Sequence, residues 1–245
     1  MATQNLMLGD CMEWMKSLPD KYYDLAICDP PYGISEDGHR ENNRSKLAKT
    51  RKYHKALWDQ SKPDKSYFTE LERVSKNQII WGGNHLSDLI GRFSPCWLVW
   101  NKINGETNFA DCELAYTSFD TAVRMFSFMW NGMLQGDPDD GTKMQGNKKR
   151  NQERIHPTEK PIPLYKWLLT NYAKAGQKIF DSHGGSFSHA IAAYDLGFDL
   201  DIIEIDPDYY RDGKARYDKH VLKCEEIKQF GFAKTELSKT NPTLF

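Results

Sequence analysis

The stretch KIFDSHGGSFSHAIAAYDLGFDLDIIEID (residues 178–206) decides how this chain folds. A short apolar run ends in the acid Asp181. Small residues follow, then an apolar-rich segment stopped by Gly197, then a second apolar run ending in Glu204. Short apolar runs bounded by turn residues read as strands, and the longer segment between them reads as a helix. Strand, helix and strand in this order form a βαβ unit and imply parallel strands, as in the sheets of α/β folds. In such sheets a nucleoside lies over the turn after the first strand, where glycines let the backbone approach it. Glu204 lies 23 residues beyond Asp181 (204 − 181). That is about the spacing at which an acid meets two ribose hydroxyls, although the turn itself is not GxGxxG.

The flanking segments fit the same sheet. Pro161 and Pro163 open a helix where proline is tolerated, and Tyr165, Leu168, Leu169 and Tyr172 share one side of it up to Gly176. KSYFTELERVSK (65–76) is an amphipathic helix with Phe68, Leu71, Val74 and Ser75 on one side. QIIWGG (78–83) and PCWLVWNK (95–102) are strand-like, and WGGN (81–84) reads as a strand-end turn bordering the site. CELAYTSF and AVRMFSFMW, within 112–130, alternate enough to predict an antiparallel pair, and 131–155 reads as loop.

Near the start of the chain, Gly9-Asp10 precedes a short helical segment ended by Pro19, and DLAICDPPYG (24–33) follows. Its apolar run Leu25–Cys28 reads as a buried strand. The strand stops by presenting a carboxylate and a phenol on a backbone that Pro30 and Pro31 stiffen.

Bulk properties set limits. The 245 residues suffice for one sizeable core, are 27% charged and 39% hydrophobic, and contain no apolar run of membrane-spanning length. The first ten residues lack the basic and apolar regions of a secretory signal. Five cysteines without metal-ligand spacing suit a reducing compartment, so a cytoplasmic single domain over 1–245 is expected, with no metal. Net charge is −1, but it is unevenly spread. Residues 40–55 hold Arg40, Arg44, Lys46, Lys49, Arg51, Lys52 and Lys55 against Glu41, and 143–156 hold Lys143, Lys148, Lys149, Arg150 and Arg154 against Glu153. Two such polar loops can grip phosphates by charge and counterion release.

Taken together, these segments resemble the S-adenosylmethionine-dependent DNA amino-methyltransferases, which methylate adenine N6 or cytosine N4. DPPY (29–32) matches their catalytic motif. HPTEKP (156–161) matches the segment leading into the cofactor strand, DSHGGSFS a variant of their Asp-Pro-Phe-x-Gly-Ser-Gly turn, and EIDPDYY (204–210) the ribose-binding strand end. Because DPPY precedes the cofactor turn, the order resembles the beta-type, circularly permuted members. The turn departs from the family at Ser182, His183 and Phe187; Phe187 stands at the last glycine of the motif and is expected at the first turn of the helix, facing the core.

The resemblance implies an α/β, doubly wound, Rossmann-like sheet, mostly parallel and seven-stranded with an antiparallel edge, and S-adenosyl-L-methionine as cofactor. It implies a catalytic set of Asp29, Pro30, Pro31 and Tyr32: Asp29 and the Pro30 carbonyl accept the two amine N–H groups, and Tyr32 stacks on a base swung out of the duplex. The implied cofactor set is Asp10, Cys11, Asp29, Thr158, Lys160, Asp181, Ser182, His183, Gly184, Gly185, Ser186, Glu204, Ile205 and Asp206. Within it Glu204 takes the ribose, Asp10 the adenine amine, and Thr158 and Lys160 flank the methionine carboxylate. Double-stranded DNA is the implied partner, gripped by segments 35–62 and 131–155 through Arg40, Arg44, Lys49, Arg51, Lys52, Lys148, Lys149 and Arg150. A cognate restriction endonuclease and a homodimer are further family partners. DPPY favours adenine N6, with cytosine N4 as the competing base. An RNA or protein methyltransferase and a non-catalytic DNA-binding relative are the rival classes. The missing GxGxxG disfavours a nucleotide-dependent oxidoreductase.

Overall fold

The structure is a computed structural model that describes residues 2–34, 61–105, 110–131, 134–147, 150–152, 154–156 and 158–240, with backbone alone at 131 and 231–240. The chain begins with β1 (Gln4–Leu8), α1 (Cys11–Lys16) and β2 (Tyr23–Cys28). After the first basic segment come α2 (Lys65–Val74), β3 (Ser75–Trp81), α3 (Gly83–Ile90), β4 (Trp97–Asn101), β5 (Cys112–Thr117) and β6 (Arg124–Ser127). A small hairpin, β7 (Trp130–Asn131) with β8 (Leu134–Gln135), leads to α4 (Ile162–Tyr172), β9 (Lys178–Asp181), α5 (Ser188–Leu196), β10 (Asp199–Glu204) and α6 (Pro207–Thr240).

The main sheet runs β1-β10-β9-β2-β3-β5-β4-β6. All neighbours pair in parallel except at β5, which is antiparallel to both β3 and β4. Four of the six residues in β2, Leu25 to Cys28, are buried in sequence, the signature of a strand covered on both faces. Leu25 and Ile27 enter one core with Trp81, Leu164, Leu168 and Ala190, beneath α4 and α5. Ala26 and Cys28 enter the other with Met15, Tyr67, Leu71 and Leu86, beneath α1, α2 and α3. Each such fully buried Leu, Ile or Phe contributes about 1.5–3 kcal/mol of burial energy. The covering helices change side between β9 and β2, and in open α/β sheets ligands bind beyond the carboxyl ends of the strands at such a switch point.

Three expectations need correction. The predicted antiparallel pair within 112–130 does not form: β4 lies between β5 and β6, antiparallel to the first and parallel to the second. Local alternation marks both strands but carries no information about a third inserted between them. The sheet therefore has eight strands rather than seven, β6 being the added edge, and its antiparallel strand is internal. Finally, 131–155 is not all loop, since β8 closes the hairpin and Gly136 bridges Met144. The turn at WGGN is present and continues into α3, with Gly82 as its N-cap at φ +69°.

Candidate active site

Because β1, β2, β9 and β10 run the same way, Asp10, Asp29, Asp181 and Glu204 all gather at one end of the sheet. The turn after β9 is built on backbone contacts. Gly184 N–H donates to the Ile203 carbonyl at 2.7 Å, and Gly185 N–H donates to Glu204 Oε2 at 2.6 Å. Glu204 Oε1 also accepts from Asp206 N–H at 2.8 Å, and burial holds this carboxyl above its usual range. A Cβ on Gly185 would meet only His156, at 4.0 Å, so the turn is open on its outer side. Ile205 is 64% exposed beside it, an apolar platform next to a carboxylate. Asp10 caps α1 by accepting from Met12 N–H at 2.7 Å and is exposed. Burial pushes the thiol of the adjacent Cys11 to about 12, with Asp10 adding to the effect.

Asp181 is buried and already paired. Its Oδ1 accepts from His183 N–H at 3.0 Å, and its Oδ2 lies 2.9 Å from His189 Nδ1. His189 stacks on Tyr165 at 4.7 Å, which places α4 and α5 around the end of β9. Ser182 Oγ lies 2.7 Å from the Tyr67 hydroxyl and 2.8 Å from His183 Nδ1. Burial holds His183 neutral, with its pKa lowered to about 4. Phe187 is fully buried at the N-cap of α5 with φ +54°, and its ring meets Tyr210 edge to face at 5.8 Å. The core-facing placement expected of it is the one found.

At the end of β2, the Tyr32 hydroxyl donates to Asp29 Oδ1 at 2.6 Å. The Tyr32 ring stacks on His85 at 5.5 Å and fills the space a Cβ on Gly82 would need. Pro30 and Pro31 are both trans. Lys160, with a side chain 2% exposed, brings Nζ to 2.5 Å from Asp29 Oδ1, 3.2 Å from Glu113 Oε2 and 3.0 Å from the Tyr32 hydroxyl. Lys102 Nζ takes the other oxygen of Glu113 at 2.5 Å. Burial raises the Asp29 carboxyl against the pull of Lys160. Burial opposes ionisation of Glu113 too, yet Lys160 and Lys102 together hold it at about 2. Cys28 is buried and its thiol is pushed to about 12 by burial, so it is core packing.

His156 lies over the turn. The His156 ring lies 4.3 Å from that of Tyr209, and burial, with Lys160 beside it, lowers its pKa to about 3. Thr158 is exposed, with Oγ1 3.2 Å from His156 Nδ1. Glu159 is buried and pairs with Arg216 of α6 at 3.0 Å, while Arg216 also donates to the Ser186 carbonyl at 2.8 Å.

The structure thus gathers Asp10, Cys11, Asp29, Tyr32, Thr158, Lys160, Asp181 to Ser186 and Glu204 to Asp206 at one end of the sheet. The ammonium of Lys160, a residue expected beside a methionine carboxylate, is engaged by Asp29, Glu113 and Tyr32. Arg150 is half-exposed, 3.9 Å from Asp137 and from Asp139. Arg40, Arg44, Lys49, Arg51, Lys52, Lys148 and Lys149 lie outside the described residues. Sequence reasoning missed Glu113, His189, Tyr165, Tyr67 and Arg216, none of which stands in a local motif. Among the described residues, Asp195, His220 and Cys224 bring three donor atoms within 4.8 Å of one another on α5 and α6, where Lys166 also pairs with Asp195. No described helix is long and apolar enough to cross a membrane.

Comparison with known proteins gives a consistent picture. A family model described as DNA methylase, of the N6/N4 type, matches residues 80–215, more than half of the chain. The type II methyltransferase M2.MboI of Moraxella bovis is 24% identical over 252 residues, covering 90% of each chain. Among solved structures, an M1.HpyAVI–SAM complex aligns with a TM-score of 0.52 at 15% identity, over 87% of this chain and 100% of the other. The PvuII DNA methyltransferase, cytosine-N4-specific, aligns at 0.54 and 11% identity over 90% and 91%. At those identities the structures speak for the fold.

Proposed function

The chain belongs to the DNA methylase family of N6-adenine and N4-cytosine methyltransferases, and on that premise we propose that it transfers a methyl group from S-adenosyl-L-methionine to N6 of adenine in double-stranded DNA. The observation that carries the reading is Asp29, followed by two trans prolines at the end of β2, beside a row of carboxylates on β9, β10 and the β1–α1 turn.

That row fits the methyl donor. Glu204 with its Gly185 contact suits a ribose diol, exposed Ile205 an adenine face, and exposed Asp10 an amine. Three carboxylates suit a ligand bearing a sulfonium and an ammonium. Cys11, Thr158, Ser182, His183, Gly184, Ser186 and Asp206 complete the lining. When bound, the donor supplies an electrophilic methyl group on sulfur.

The protein's part is to make an exocyclic amine nucleophilic. The amine lone pair is delocalised into the ring and must localise as nitrogen becomes pyramidal. The Asp29 carboxylate and the Pro30 carbonyl accept its two N–H groups in the geometry that pyramidal nitrogen requires. A base inside the duplex is out of reach, so it is swung out and stacks on Tyr32. With the donor bound, the amine would take its methyl group from sulfur, and the proton displaced from nitrogen would pass to Asp29.

The basic segments, 35–62 and 131–155, are the proposed DNA grip, with Arg150 as their described member. Acting on DNA, the protein works in the cytoplasm; a cognate restriction endonuclease and a homodimer belong to the same reading. Methyl transfer from labelled donor to unmethylated DNA, followed by nucleoside mass spectrometry, tests it. N6-methyladenine from the wild type but not from Asp29→Ala is expected. N4-methylcytosine would overturn the base, and no methylated nucleoside would overturn the substrate class.

A further inference from the structure

Lys160 has almost no access to solvent, and its ammonium lies between two carboxylates: Asp29 at 2.5 Å and Glu113 at 3.2 Å. Lys102 holds the far oxygen of Glu113. The rings of Tyr32 and Trp81 each lie 5.5 Å from Lys160 Nζ and complete its cage. An ammonium so enclosed is an unusual expense unless its partners need it, because a buried charge is tolerated only when paired. We propose that Lys160 is a positioning residue that fastens Asp29 for the target amine and keeps it ionised, and that Glu113 and Lys102 fasten Lys160. This assignment rests on the methyltransferase reading and gives Lys160 a role at the reacting base rather than at the donor's carboxylate.

The chemistry requires such a device. Asp29 must enter the reaction as a carboxylate, since it accepts an N–H and then the proton released from nitrogen. A carboxyl at the mouth of a dry site tends to stay protonated, and burial does push Asp29 upward. Lys160 opposes that push, whereas Glu113, itself ionised, adds to it. The other titratable groups facing the cluster are Tyr32 from the end of β2, Tyr165 from α4 and His156 beside Lys160. Burial keeps both phenols and the imidazole neutral, so the balance at Asp29 is set by Lys160 and Glu113. The two therefore act on Asp29 in opposite directions.

The test uses the full chain with Lys160→Met, Lys160→Arg and Glu113→Gln. Single-turnover methylation is measured against pH, donor affinity by calorimetry, and the Asp29 carboxyl titration by carbon NMR of labelled aspartate, assigned with Asp29→Asn. In Lys160→Met the acidic limb of the rate profile and the Asp29 titration both move up by roughly 1–3 pH units. Lys160→Arg holds them near the wild type, and Glu113→Gln moves them down. Donor affinity stays within about twofold throughout. A wild-type acidic limb unmoved in Lys160→Met, or a donor affinity that collapses there, would overturn the assignment. The NMR titration reads the same effect without any substrate. A wild type inactive on DNA but showing these shifts would therefore count against the substrate reading and support the positioning role.

Discussion

The ring of Phe187 fills the volume into which a Cβ on Gly184 would project, so the two residues share one space. The same ring would lie 3.1 Å from a Cβ on Gly213, which lets α6 pack closely against the turn. A left-handed φ costs a residue with a side chain roughly 1 kcal/mol, whereas losing a buried phenylalanine ring costs about 3–5 kcal/mol. Phe187→Gly is therefore expected to destabilise the fold by a net of about 2–4 kcal/mol in urea titrations. Gly184→Ala alone is destabilising as well, and adding Phe187→Gly to it recovers part of that loss. Strictly additive losses in the double-mutant cycle would contradict a shared volume.

Arg216 ties α6 to both the HPTEKP segment and the cofactor turn, through Glu159 and the Ser186 carbonyl. Removing one partner of a buried pair strands the other, at roughly 3–5 kcal/mol. Arg216→Met should lower stability by that order and weaken donor binding, because His156 would no longer be held near Gly185. Calorimetric affinity and denaturation midpoints decide the matter; a variant that binds and unfolds like the wild type would show that the bridge is idle.

Tyr32 has two separable jobs. Tyr32→Phe removes the hydroxyl that donates to Asp29 but keeps the ring. A single hydrogen bond contributes about 0.5–1.5 kcal/mol, so a loss of up to about tenfold in methylation rate is expected. Tyr32→Ala also removes the stacking face, worth roughly 1–3 kcal/mol per base, and should raise the DNA KM further. Equal behaviour of the two variants would argue against stacking.

Acid should weaken the fold through His156 and His183. Their folded values lie near 3 and 4 against an ordinary 6.5. Below about pH 6.5 the unfolded chain takes up protons that the folded chain refuses, so stability falls as pH drops toward the folded values. Each ring contributes at most about 1.4 kcal/mol per pH unit, less where solvent reaches it. Urea midpoints should fall between pH 7 and 5, and His183→Asn should flatten that slope. Midpoints unchanged over that range would contradict the sign.

Asp29, the β9 turn and Glu204 were legible in the sequence because each follows or closes a short apolar run that ends in an acid, a local pattern. Strand identity was legible for the same local reason. Pairing was not: nothing in residues 112–130 announces that β4 separates β5 from β6. Nor does anything mark Glu113, a lone acid in an apolar strand, or Arg216, one charge among many on α6. Both work through partners distant in sequence, and only the folded chain brings those partners near. Lys160, Asp29 and Tyr32 were each visible as motif residues, yet nothing in the sequence joins HPTEKP to DPPY or either of them to Glu113; the fold does that.

The reversal of β5 has a consequence for rigidity. In a sheet whose strands all run one way, the residue that opens a strand sits at the end remote from chemistry, and only loops reach the working end. Turning one strand around brings its opening residues to that end. Glu113 is the second residue of β5 and pairs in register with Trp100, near the close of β4. The counter-charge of the site is thus anchored in a hydrogen-bonded ladder, among the last parts of a fold to open.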